Sequence, residues 1–113
     1  ILSDGSETTF SALRSDAFRA KCEGQNGTSP LEQQIYQHLD SIVNSSENQQ
    51  IIRNSFPKPT ITRRNTGYAL DALLPSPSGR GAGGEGVNVC RLIAGSEGTL
   101  CFVTEAKLSL LLL

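Results

Sequence analysis

One histidine and three cysteines are the side chains in this sequence most able to do chemistry. His38 is the only histidine, and a catalytic base needs an acid or a nucleophile beside it. No Ser, His and Asp arrangement is visible in the sequence, so we expect His38 on the exposed side of a helix. Cys22, Cys90 and Cys101 are odd in number and form no CxxC pair. We therefore expect the three cysteines to be small buried hydrophobic residues in a protein of the reducing cytoplasm. We expect neither a disulfide framework nor a zinc site.

Charge and hydropathy exclude several classes of partner. Ten basic residues nearly balance eleven acidic ones, which argues against binding to nucleic acid or to an anionic membrane. No run of residues approaches the roughly 18 apolar residues of a membrane span. The adjacent Arg63 and Arg64 could meet a phosphate, but a solvated edge is the favoured interpretation, and no phosphate-binding glycine loop with a following lysine occurs.

The turn GSEGTL, residues 95 to 100, is the remaining candidate for chemistry. Gly95 and Gly98 permit backbone conformations that other residues avoid, and successive N–H groups in such a turn can form a concavity for an oxyanion. The alternative is a tight loop that leads the chain into a strand. Spacing alone favours this alternative.

Several helices are expected to position these residues. Ser29, Pro30 and Glu32 form a capping box that predicts a helix from about 30 to 44. Apolar spacing predicts a short helix within 11 to 22, and Ser46 with Gln49 predicts the start of another that ends before residue 57. A short helical piece is expected near 69 to 74.

Three further segments complete the expected organisation of the 113 residues as a single domain at most. Asp4 and Gly5 predict a tight turn. Residues 75 to 86 contain five glycines and two prolines and are expected to be a disordered insert. Alternation from residue 104 predicts a half-buried strand. Its buried face would carry Thr104, Ala106, Leu108 and Leu110.

The ends of the sequence indicate a fragment of a larger fold. Ile1 is not Met, and LSLLLL at 108 to 113 ends within a hydrophobic run. We therefore expect that the chain was cut from a longer protein at both ends.

Two stretches carry a resemblance to a known family. RNTGYALDALL at 64 to 74 and NVCRLIAGSEGTLCFVTEAKLSL at 88 to 110 resemble the FAD-linked oxidases, which have a vanillyl-alcohol-oxidase or PCMH-type FAD-binding domain. The D-lactate dehydrogenase, glycolate oxidase and D-2-hydroxyglutarate dehydrogenase branch is the most similar. Residues 29 to 58 look like a helical insertion of its large members, which are fused to iron-sulfur domains.

The resemblance implies a fold and a cofactor site. Residues 1 to 113 would be the C-terminal half of the FAD-binding domain, an α+β lobe with a mixed or antiparallel sheet flanked by helices, interrupted by the low-complexity insert at 75 to 86. The family's contacts with FAD, chiefly on its adenine and diphosphate side, map onto Asn65, Thr66, Gly67, Tyr68, Gly95, Ser96, Glu97, Gly98, Thr99 and Val103. None of these residues would do acid or base chemistry.

The resemblance also implies an activity for the intact parent protein. That protein would oxidise a 2-hydroxy acid such as D-lactate or glycolate, passing a hydride to the flavin and electrons to a quinone, cytochrome or iron-sulfur acceptor. The present chain alone would be inactive, because the family's main phosphate loop and its substrate domain lie outside it. The alternative is an inactive remnant or interaction module whose exposed LSLLLL edge pairs with another chain.

Two departures from the family pattern bear on FAD binding. Cys101 stands where the family usually has glycine, so a side chain occupies a place of close approach to the cofactor. The insert at 75 to 86 also separates two segments that normally lie only a few residues apart. The Cys101 side chain is expected to weaken or reshape the cofactor site, and the insert indicates a degraded gene.

Overall fold

The protein is built from short helices around a small core. The computed structural model describes residues 1–58, 60–61, 67–74 and 87–110. Within these ranges the helices are α1 Ser15–Cys22, α2 Pro30–Val43, α3 Ser46–Ser55, a 3-10 helix at Leu70–Leu73 and α4 Cys90–Ile93.

The predicted α+β lobe with a mixed or antiparallel sheet is wrong. In the part of the chain that the structure describes, the single β pairing is an isolated antiparallel bridge between Ala12 and Asn88. A sheet requires several neighbouring backbones to exchange hydrogen bonds in register, and the extended segments have no such neighbours among the described residues.

Helix α2 and its Ser29 cap are confirmed, but the reciprocal half of the capping box is not among the described contacts, because the Glu32 carboxylate pairs with Lys21. The Ser29 hydroxyl accepts a hydrogen bond from the Glu32 backbone N–H at 3.2 Å, and Pro30 occupies the first helical turn, where its missing N–H costs nothing. Helix α3 is also confirmed, but its cap is Ser45 and not Ser46. The Ser45 hydroxyl accepts from the backbone N–H of Asn48 at 3.3 Å.

The core centres on Tyr36 of α2, whose side chain is fully buried. Its ring meets Phe18 of α1 edge-on at 5.6 Å between centroids and Phe10 in a tilted arrangement at 6.0 Å. Such geometries are favourable for aromatic pairs. The other buried members of this cluster are Leu39, Val43, Leu73, Val87 and Val89.

Polar contacts fasten α1 to α2. The Lys21 ammonium group lies 2.8 Å from a carboxylate oxygen of Glu32, which is buried. The side-chain amides of Gln33 and Gln37 donate to the backbone carbonyl of Cys22 at 3.1 and 2.9 Å. Because the last carbonyls of a helix have no partner within it, these two glutamines satisfy the C-terminal end of α1.

Backbone contacts between distant residues hold the segment from 87 to 102 against the first 13 residues of the chain. The Leu13 N–H donates to the Val87 carbonyl at 3.4 Å, beside the Ala12–Asn88 bridge. Ile1 and Phe102 exchange hydrogen bonds at 2.7 and 3.0 Å. The loop that follows α4 is therefore held against the first residues of the chain.

The expected half-buried strand after residue 104 is wrong. Residues 104 to 110 form no strand and are all exposed, including the four expected on a buried face. The alternation of side chains is present, but no strand or helix within the described ranges covers the apolar side. The turn expected at Asp4 and Gly5 is confirmed, with Gly5 at φ +83°.

The glycine-rich insert and the absence of a membrane span are the remaining expectations about segments of the chain. The insert expected at 75 to 86 lies outside the described residues. Among the helices that the structure describes, none has the length and apolarity needed to cross a membrane.

Candidate functional site

The GSEGTL loop begins two residues after helix α4 ends and turns through left-handed backbone conformations. Gly95, Glu97 and Gly98 have φ values of +87°, +53° and +75°. Glycine adopts this region freely, whereas Glu97 does so at a steric cost. The N–H groups of these three residues have no acceptor among the described residues. The loop therefore presents several backbone donors without a partner among the described residues, which an anion-binding turn would need.

Ser96 anchors this loop in the protein. It is 5% exposed, its N–H donates to the Ile93 carbonyl at 3.0 Å, and its carbonyl accepts from both the N–H and the hydroxyl of Thr99. The two acceptor bonds measure 3.0 and 2.6 Å. Because α4 and Thr99 hold Ser96 from both sides, the free donors lie on a fixed turn.

A hydrogen bond joins the loop to the NTGY segment. The hydroxyl of Tyr68 lies 2.8 Å from the hydroxyl of Thr99, across 31 positions of sequence. Gly67, next to Tyr68, has φ +84°, a conformation that favours glycine. The structure thus brings Gly67 and Tyr68 beside the loop, whereas Asn65 and Thr66 of the same prediction lie outside the described residues.

Val103 is the one described candidate residue that the structure does not bring into this site. Its side chain is 54% exposed, and none of the hydrogen bonds in the described ranges connects it to the loop. The expected strand start at this position is absent. The preceding residue, Phe102, pairs instead with Ile1.

The three cysteines have free thiols in different surroundings. Cys22 is half-buried, and burial, followed by the nearby charge of Asp40, raises the pKa of its thiol. A raised pKa reduces the thiolate fraction and makes the side chain less reactive. Cys90 is exposed, so its expected burial is wrong, and its thiol donates to the Phe10 carbonyl at 3.3 Å. Cys101 is half-buried at the end of the GSEGTL loop.

Among the other candidates, Arg63 and Arg64 lie outside the described residues. His38 is exposed on α2, as predicted. Across the described ranges, no group of three or more His, Cys, Asp or Glu side chains is arranged to hold a metal ion.

Two further features of the structure have no signal in the sequence. One is the hydroxyl of Tyr36, which is buried without a hydrogen-bond partner among the described residues. The other is an apolar cavity with a volume of about 270 Å³. Its walls come from four separate segments of the chain, so no spacing within a single segment could indicate it.

Comparisons with protein-family models, with curated proteins and with solved structures find no match for this chain.

Proposed function

We propose that this chain supplies an FAD-contacting loop to an FAD-dependent dehydrogenase of 2-hydroxy acids. The observation that carries the proposal is the 2.8 Å hydrogen bond between Tyr68 and Thr99. The family resemblance assigns both residues to one cofactor site, although they lie far apart in sequence. A contact between them is what that assignment requires.

The backbone of the loop is suited to the diphosphate side of FAD. Free N–H groups at Gly95, Glu97 and Gly98 can donate to phosphate oxygens, and open space beside the two glycines allows close approach. The proposal rests on this loop and on the resemblance, not on the α+β sheet.

Weak binding by the chain alone is part of the proposal. The carboxylate of Glu97 places a negative charge beside the free N–H groups, which opposes a diphosphate. The resemblance also assigns to this chain only part of the family's phosphate-contacting surface. We therefore expect that FAD is lost during purification, and a stoichiometric flavin absorbance band in the purified chain would contradict this expectation.

Titration with FAD, followed by NMR of the backbone amides, tests the proposal. We expect saturable shifts confined to residues 67, 68 and 95 to 99. Gly98→Ala should weaken these shifts severalfold, because a side chain at φ +75° strains the loop. Gly27→Ala is the matched control, since Gly27 has φ +72° and equally open surroundings in the turn before α2. Shifts that are absent, or equally sensitive to both substitutions, would reject an FAD-contacting loop.

A second candidate function is an interaction module without catalysis. Leu108 and Leu110 are 77% and 87% exposed in an extended segment, which is a surface that another chain could cover. Size-exclusion chromatography with light scattering separates the candidates. A defined complex with a chain that supplies a phosphate loop would support the flavoprotein, whereas flavin-free self-association would support the interaction module.

A further inference from the structure

An apolar cavity lies between α2, α4 and the first residues of the chain. Its volume is about 270 Å³. Its lining includes Leu31 and Ile35 of α2 and Leu92 and Ile93 of α4. The remaining lining residues are Leu2, Ser3, Phe10, Val89, Leu100 and Cys101.

The lining determines which ligand would fit. It contains no charged side chain, and its two polar side chains are the hydroxyl of Ser3 and the thiol of Cys101. A charged group entering the cavity would lose water without gaining a partner. Charge complementarity therefore favours an uncharged, hydrocarbon-rich ligand.

The size and accessibility of the cavity also favour a small ligand. The cavity volume of about 270 Å³ lies just below the roughly 300 to 1,000 Å³ of pockets that hold drug-sized ligands. Leu100 is 38% exposed, and Phe10, Ile35 and Leu92 are partly exposed, so the cavity communicates with solvent.

We propose that this cavity is a binding site for a small, uncharged, hydrocarbon-rich molecule. The site is separate from the free N–H groups of the proposed FAD-contacting loop, because it offers hydrophobic walls and no phosphate donors. Bound ligand would cover the apolar surfaces of Ile35 and Leu92 and would contact the side chain of Cys101.

The three native thiols allow a direct test. Toluene is added below its aqueous solubility, and alkylation of each cysteine by iodoacetamide is followed by peptide mass spectrometry. At about four times its dissociation constant, toluene leaves one fifth of the cavities empty, so we expect about fivefold slower alkylation of Cys101. Cys90, which is exposed outside the cavity, serves as the control and should react at an unchanged rate.

Benzoate and a cavity-filling variant sharpen the test. Benzoate has the same ring with a negative charge and should protect Cys101 much less than toluene. Ile35→Trp should fill the cavity and abolish protection by toluene, whereas Ile51→Trp, on the exposed face of α3, should retain it. Circular dichroism verifies that each variant is folded. Unchanged alkylation of Cys101 with toluene in the unmodified chain would overturn the proposal, even if Ile35→Trp fails to fold.

Two outcomes would identify a different occupant. If Cys101 is not alkylated even without toluene, and toluene has no effect, a second copy or the chain's own apolar residues already fill the cavity. Equal protection of Cys101 by toluene and benzoate would mean that the ligand need not be uncharged. Either result overturns the proposal, while neither affects the test of FAD binding.

Discussion

The helical pair α1 and α2 contains a proportion of apolar residues similar to that of the segment from 102 to 110. The two regions differ in whether those side chains are buried. In the helical pair, Phe18 and Tyr36 are buried against each other. In the segment, Leu108 and Leu110 are more than three quarters exposed. A helix satisfies its backbone internally and needs only one packed face, whereas an extended segment needs a neighbour for both its backbone and its apolar side. Substitutions should therefore have large effects on stability in the first region and small effects in the second.

The largest effect is expected at Tyr36. Tyr36→Ala should lower the free energy of unfolding by about 3 to 5 kcal/mol, because it removes a fully buried ring from contact with Phe10 and Phe18. Tyr36→Phe is the matched control. It keeps the ring and removes a hydroxyl that has no partner in the described residues, so stability should rise by about 1 kcal/mol. Urea denaturation measures both changes, and a costly Tyr36→Phe substitution would indicate that the hydroxyl has a partner.

The stabilities of the unmodified chain and of Tyr36→Phe should also depend differently on pH. Burial raises the pKa of Tyr36 above its ordinary value of about 10. Above that pH the unfolded chain releases this proton while the folded chain retains it, so the stabilising effect present at lower pH is lost as pH rises. We expect a shallower loss of stability in alkaline solution for Tyr36→Phe than for the unmodified chain. Equal slopes would show that Tyr36 does not contribute.

A smaller effect is expected at the ion pair between α1 and α2. Lys21→Met should cost about 2 to 4 kcal/mol, because it leaves the Glu32 carboxylate buried without its cation. Combining Lys21→Met with Glu32→Leu should recover most of this loss, since the buried charge is then removed as well. Thermal or urea unfolding of the single and double variants measures the difference. A double variant less stable than Lys21→Met would contradict this explanation, because it would show that Glu32 is stabilising through contacts other than Lys21.

The smallest effect on stability is expected in the segment from 102 to 110. Leu108→Lys and Leu110→Lys together should change the free energy of unfolding by less than about 0.5 kcal/mol, because neither side chain packs against the core. The same substitutions should reduce self-association measured by light scattering, since they place charges on an exposed extended segment. A large loss of stability would mean that the segment packs on the core after all, and the comparison between the two regions would fail.

The sequence predicted the parts of this protein whose signals are local. Ser29, Pro30 and Glu32 indicated where α2 begins, since a cap depends on residues within one turn of each other. The glycines of the GSEGTL loop likewise indicated left-handed turns, because that preference belongs to the residue itself.

Tertiary structure decided what depends on residues far apart in the chain. It determined that Tyr36 is the centre of the core, that Tyr68 meets Thr99, and that Ala12 pairs with Asn88. It also determined that residues 104 to 110 have no backbone partner in the part of the chain that the structure describes, and that they form no strand. Alternation in sequence shows that a segment can be a strand, but a strand forms only where another backbone accepts its hydrogen bonds.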